Sequence, residues 1–138
     1  IIGQASDWYK KAVSSAEFTY YPLKSFSRHP ITQVFTFCKD KNNDFCIVRD
    51  GGEDFFNLPG GHCDLGENPK SAAIREVREE AQISVENIRL LGTILVRIYD
   101  KKGKLLTTLQ HKRYFGNITE LNPFMPFNNG FETEERKS

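Results

Sequence analysis

The chain reads as a series of apolar runs parted by polar breaks, and the runs predict most of its elements. Residues Asp7 to Ala16 suit a short helix, with Ser6 as N-cap and Trp8, Ala12 and Val13 near one face. Ile31 to Cys38 is rich in β-branched and aromatic residues and predicts a strand. The polar Lys39-Asp40-Lys41-Asn42-Asn43 then predicts a turn, and Phe45 to Arg49 a returning strand, giving a hairpin. After the break at Asp50-Gly51-Gly52, Phe55 to Leu58 reads as a short strand stopped by Pro59-Gly60-Gly61.

The clearest helix runs from Pro69 to about Gln82. Proline has no amide hydrogen and disfavours helical geometry in the residue before it, so Asn68-Pro69 reads as an N-cap and first helical position. Ala73, Ile74, Val77 and Ala81 fall on one apolar face. Beyond it, Ile88 to Tyr99 and Leu105 to Ile118 predict two long strands, joined by Asp100-Lys101-Lys102-Gly103-Lys104 with Gly103 at a turn position. Leu121 to Gly130 is an Asn/Pro/Phe loop, and Glu132 to Arg136 predicts the start of a helix. Strands on both sides of one strong helix predict an α+β layer rather than a regular parallel wind.

Composition narrows the class. The 138 residues suit one domain, 38% hydrophobic and 12% aromatic content argues against disorder, and no apolar run approaches a membrane span. With 19 Lys+Arg against 18 Asp+Glu, the net charge of +1 argues against a general nucleic-acid or membrane-surface binder. The start shows no signal-peptide pattern, and the odd set Cys38, Cys46 and Cys63 contains no CxxC pair, so reduced thiols in a cytoplasmic protein are expected.

The chemistry gathers between Gly61 and Ile83. On a helix turning ~100° per residue, Glu76, Glu79 and Glu80 project from one side. Like charges so spaced destabilise a helix and raise one another's pKa unless something compensates. A hard divalent cation would: Mg²⁺ favours carboxylate oxygens and keeps waters that substrate phosphates can replace. Arg75 could pin Glu67 in the preceding loop through its planar fork. From the three acids alone, a solvated helix face is the commoner explanation; the whole string decides otherwise.

That string, GHCDLGENPKSAAIREVREEAQI, matches G-x5-E-x7-R-E-U-x-E-E-x-G-U, U being aliphatic, at Gly61, Glu67, Arg75, Glu76, Val77, Glu79, Glu80 and Ile83. It resembles the box of the Nudix family, and Phe56-Asn57-Leu58-Pro59-Gly60 resembles the usual entry to it. One position departs: Gln82 stands where the family has its second Gly. That Gly ends the helix in the left-handed conformation, where Gln costs on the order of 1 kcal/mol.

The resemblance implies a single Nudix domain over 1–138, with an N-terminal extension over about 1–25, the box at 61–83 and an incomplete C-terminal helix. Its fold would be α+β, a mixed β-sheet sandwiched by α-helices, with a strand-loop-helix catalytic motif. Its activity would be a hydrolase acting on phosphorus-containing acid anhydrides. Water would attack a diphosphate in a nucleoside diphosphate joined to a group X, either a nucleoside triphosphate or a nucleotide sugar such as ADP-ribose. Mg²⁺, with Mn²⁺ as an alternative, would be held by Glu76, Glu79, Glu80 and the backbone carbonyl of Gly60. Glu67 and Arg75 would orient. A later carboxylate could serve as base, with Glu132 first, Glu135 second and Glu120 third; acids at the start of a surface helix explain that cluster about as well. The implied partner is a small-molecule nucleotide, with no membrane, little case for nucleic acid, and homodimers common in the family.

Substrate selection lies outside the box. Arg28, Arg49, Arg97 and Arg113 could reach phosphates, Phe124 and Phe127 could stack on a base, and His62 and His111 could touch substrate. Each has a plain structural alternative, and nothing marks Cys63 as a nucleophile. Two other functions remain open: a nucleotide-sensing domain without catalysis, disfavoured by the intact acidic trio, and an RNA cap hydrolase, disfavoured by the lack of a basic, aromatic-interleaved patch.

Overall fold

The computed structural model describes residues 14–26, 28–121 and 133–137. Its elements are β1 (Ser15–Pro22), β2 (Ile31–Lys39), β3 (Ile47–Asp50), β4 (Gly60–His62), α1 (Pro69–Ala81), β5 (Ile83–Tyr99), β6 (Leu105–Leu121) and β7 (Thr133–Lys137). Five strands form one sheet in the order β1-β5-β6-β2-β4, and β3 pairs with β7 in a second. The large sheet is mixed: β2 and β6 run parallel, and its other pairs are antiparallel. Among the described residues α1 is the one helix, and none is long and apolar enough to cross a membrane.

Two turns of the same chemistry shape the long strands. At each, an aspartate carboxylate accepts backbone N–H groups two and four residues on: Asp40 from Asn42 (2.8 Å) and Asp44 (3.0 Å), Asp100 from Lys102 and Lys104 (both 2.9 Å). Asn43 and Gly103 take the positive φ each reversal needs, at 66° and 79°. The second turn closes the expected β5–β6 hairpin. The first does not: beyond one bridge, Lys39 to Phe45, the returning chain leaves β2 and pairs with β7. Both edges of β2 are already taken, by β4 and β6, so no ladder is left for β3.

Three other expectations need correction. Residues 55–58 make only a bridge, between Val48 and Asn57; the strand lies at Gly60–His62, where a stop was expected. A Cβ on Gly60 would collide with the Val34 carbonyl, so glycine here permits pairing with β2 rather than ending it. Residues 133–137, expected to start a helix, are strand, because their backbone pairs with β3. Ser15 and Ala16, placed at the end of an N-terminal helix, open edge strand β1; the rest of that helix, at 7–13, lies outside the described residues, as does the 122–130 loop.

The core lies between α1 and the inward face of the sheet. In β2 every second residue is buried, placing Thr32, Val34, Thr36 and Cys38 under the helix, which presents Ala72, Ala73, Val77 and Ala81. Ile74, expected on that face, is only partly buried against it. Val77 is completely enclosed, a burial contributing roughly 1.5–3 kcal/mol. Cys38, Cys46 and Cys63 are free thiols within this core.

Candidate functional site

Asn68 starts α1 as expected. Its side-chain oxygen accepts the N–H groups of Lys70 (2.9 Å) and Ser71 (3.2 Å), and Pro69 occupies the first turn, where its missing donor costs nothing. Gln82 ends the helix with φ 57° and ψ 42°, and its N–H donates to Arg78 O at 3.1 Å. The glutamine thus takes the left-handed cap position that a glycine would occupy more cheaply. From β7, Arg136 Nη1 donates to the Ala81 carbonyl at 2.8 Å, placing a cation at the negative end of the helix.

Arg75 is the hub of the acidic face. Its Nε and Nη2 grip Glu67 in a fork, both at 2.9 Å, tying the loop before the helix to the helix itself. Its Nη1 donates to Glu76 (3.0 Å) and Glu79 (3.1 Å), Nη2 also reaches the His62 carbonyl (3.1 Å), and Asp64 stands 4.0 Å away. The hydrogen bonds from Arg75 pull the Glu67 carboxyl down to about 2, and that same pairing raises the Arg75 pKa.

The three box glutamates differ in setting. Glu76 is largely enclosed, its side chain 12% exposed, and burial raises its pKa despite Arg75. Gly61 makes room for it: a Cβ there would stand 2.8 Å from the Glu76 carboxylate. Glu79 reaches into solvent with its side chain 57% exposed, and Glu80 accepts the Gly60 N–H at 3.2 Å. Strand β4 therefore meets the helix through two glycines and two carboxylates. Among the described residues, no three His, Cys, Asp or Glu side chains converge as a ready-made metal cluster.

Beside Glu80 lies a cleft of about 320 Å³, lined among others by Gln33, Phe35, Asn57, Gly60 and His62. Gln33 and Phe35 escaped notice in the sequence, although strand periodicity would have set them on one face, away from buried Val34. His62 is exposed at the cleft; His111 is half-buried, and burial, reinforced by Arg113 and His62, pushes its pKa down to about 4. Cys63 sits in the core, where burial raises its pKa, the reverse of what a nucleophile needs.

Other candidates separate from the site or from one another. Arg97 pairs with Glu17 (3.0 Å), Arg49 donates to the Glu53 carbonyl (3.2 Å), and Arg28 is exposed. Arg113 lies over the Phe35 ring, 4.6 Å from its centre. Glu120 is exposed near the end of β6 opposite Ser84, and Glu135 lies in β7 opposite Arg49. Glu132, Phe124 and Phe127 fall outside the described residues.

Comparison with known proteins accords with this arrangement. The family model described as NUDIX domain matches residues 28–105, more than half of the chain. Over 54 residues the chain is 32% identical to YjhB of Bacillus subtilis, provisionally named an ADP-ribose pyrophosphatase; the match spans 39% of this chain and 26% of that protein. Among solved structures, a mutant of the Bacillus subtilis pyrophosphohydrolase BsRppH superposes with a TM-score of 0.64 at 21% identity, covering 88% of this chain and 69% of that one. A Nudix hydrolase from Nitrosomonas europaea gives 0.55 at 22% identity, covering 79% and 72%. At such identities the structural likeness establishes the α+β fold, and with the family match over residues 28–105, which include the box, the chain belongs to the Nudix family.

Proposed function

We propose that this chain is a divalent-metal-dependent pyrophosphohydrolase that cleaves a nucleotide's diphosphate bond by attack of water. The observation that carries this reading is a charge imbalance. One guanidinium, Arg75, faces four carboxylates, those of Asp64, Glu67, Glu76 and Glu79, while Glu80 stands beside them on the Gly60 N–H. Such an excess of hard oxygen donors fits Mg²⁺ or Mn²⁺, which would be held by Glu76, Glu79, Glu80 and the Gly60 carbonyl. When bound, the ion would neutralise charge developing on the phosphoryl oxygens and lower the pKa of a coordinated water.

The chain's own residues divide the remaining work. Arg75 and Glu67 lock the loop to the helix and hold the acids in register. Glu76, raised by burial, or Glu80 beside the cleft, would orient the water and take its proton. The cleft would receive the nucleotide, an ADP-ribose-like nucleotide sugar or a nucleoside triphosphate; the name carried by YjhB favours the former. Three free, buried thiols accord with a reducing cytoplasm.

Glu79→Gln is the direct test, because Glu79 is exposed and its i,i+4 pair with Arg75 contributes only about 0.3–0.5 kcal/mol to the helix. Assayed on a nucleotide panel with Mg²⁺, the parent should release nucleoside monophosphate or inorganic phosphate products. The variant should lose about 100-fold or more in kcat while keeping its melting temperature. Full turnover in a folded Glu79→Gln protein removes the metal assignment, and a parent that binds nucleotides without cleaving them favours a sensing domain.

A further inference from the structure

A second cavity, of about 280 Å³, opens beside the loop that leads into α1 and shares no lining residue with the cleft beside Glu80. Two of the residues that line it are buried, Gln110 at 1% exposed and Cys63 at 3%. Phe26 and His29 reach it from the segment between β1 and β2, and Asp64 and Glu67 from the loop before the helix. In β6, Gln110, Lys112 and Tyr114 are the buried alternate residues, so Gln110 belongs to the inward face of the sheet and His111 and Arg113 to the other.

The Gln110 amide is only half used. Its Nε2 donates to the carbonyls of Phe26 and His29, holding that segment against the sheet. Its Oε1 is buried and has no hydrogen-bond partner among the described residues. A buried acceptor left unpaired is costly, and a donor brought into the cavity recovers that cost. The donors of the neighbouring loop are already spent on the loop itself. Cys63 Sγ donates to the carbonyls of Asp64 (3.8 Å) and Glu67 (3.6 Å), the Asp64 N–H to the Glu67 carboxylate (3.0 Å), and the Glu67 N–H to the Asp64 carbonyl (2.9 Å).

Charge and size select the ligand. An anion would meet the carboxylates of Asp64 and Glu67. A cation would meet Lys112, whose Nζ donates to the Oγ of lining residue Ser25 at 2.6 Å and to Thr93 Oγ1 at 2.8 Å. An uncharged molecule avoids both. A cavity of roughly 150 Å³ holds one benzene ring. One of about 280 Å³ therefore has room for a fused pair of rings, and Phe26 and Leu65 offer them apolar surface. We propose that this cavity is a second small-molecule site, one that takes an uncharged planar heterocycle and receives its N–H on Gln110 Oε1. Indole-type and purine-type rings share that chemistry. The site stands apart from the hydrolytic reading, since neither the metal nor the cleft enters the argument.

The test is a binding measurement on the whole chain, with neither metal nor turnover. Calorimetric titration compares two pairs of ligands whose members differ only in the N–H: indole against benzofuran, and benzimidazole against benzoxazole. In at least one pair the N–H member should bind the parent about tenfold more tightly, the measure of one hydrogen bond to a buried acceptor. Its binding should shift the amide resonances of Ile31 and Leu65 and leave those of Val48 and Asn57, at the Glu80 cleft, in place. Gln110→Leu keeps the bulk but has no acceptor, and should reduce the N–H member to the affinity of its isostere. Gln110 also holds Phe26 and His29, so if that variant fails to fold, the ligand pairs and the resonance shifts of the parent decide alone. Which pair discriminates identifies the type of ring. Equal binding within both pairs, shifts confined to Val48 and Asn57, or no binding at millimolar ligand, which leaves the cavity to water, overturns the proposal.

Discussion

Arg75 and Arg113 carry the same group on opposite faces of the sheet region, and the chain treats them in opposite ways. Arg75 is surrounded by acids, with four carboxylates within 4.0 Å, and hydrogen bonding to Glu67 raises its pKa. Arg113 rests on an aromatic ring with no carboxylate paired to it among the described residues, and burial lowers its pKa against a smaller opposing effect of the Tyr20 phenol. A guanidinium saturated by its own protein is a structural joint, since its donors are spent on holding the loop and three acids in place. Arg113, by contrast, is given one weak acceptor among the described residues, the Lys112 carbonyl at 3.5 Å, and its place is set by the Phe35 ring.

The sharpest way to break that contrast is to remove each charge in turn. Arg75→Ala should cost about 2–3 kcal/mol of stability, because it strands partly buried carboxylates, and about 100-fold in activity through the disordered acids. Arg113→Ala should change stability by less than about 1 kcal/mol, because the lost ring contact is offset by relief of a half-buried charge. Denaturant midpoints read the difference, and equal losses would mean that the two arginines do the same job.

A smaller effect sharpens the Arg75 side. Glu67 has its carboxyl held near 2, below the ordinary 4.5, so its contribution is complete above pH 4.5 and drains away as pH falls toward 2. The melting temperature of the parent should fall through that window, and Glu67→Gln should flatten part of the slope, whereas Arg113→Ala should leave the slope as it is. The smallest change expected is a gain: Gln82→Gly relieves a left-handed φ of 57° and should add roughly 0.5–1 kcal/mol, read as a melting temperature a few degrees higher with turnover unaffected.

Much of this was legible in the residues. Asn68 and Pro69 announce the helix start, the box spacing puts Glu67 within the grasp of Arg75, and the Gln82 departure points to a strained cap; all three are local, set by positions within a few turns of one another. The misread segments were those whose fate depends on distant partners. Phe45 to Arg49 looks like half of a hairpin because nothing nearby reveals that both edges of β2 are occupied by β4 and β6. Residues 133–137 look like a helix start because their acids suit one, until β3 supplies a ladder. The Pro59-Gly60-Gly61 run looks like a stop, yet its glycines are what let β4 lie against Val34 on one side and Glu76 on the other.

The amino-acid sequence by itself determined the family, the α+β class and the acidic helix with its orienting arginine, because a helix's side-chain directions follow from spacing alone. Tertiary structure decided which of several arginines meet carboxylates among the described residues. Arg113, Phe35 and Gln33 are ordinary strand residues until parallel pairing of β2 with β6 sets Phe35 opposite Arg113 and lays the guanidinium over its ring. Whether a charge is neutralised depends on which strands become neighbours, and long-range pairing of that kind leaves no mark at the position itself.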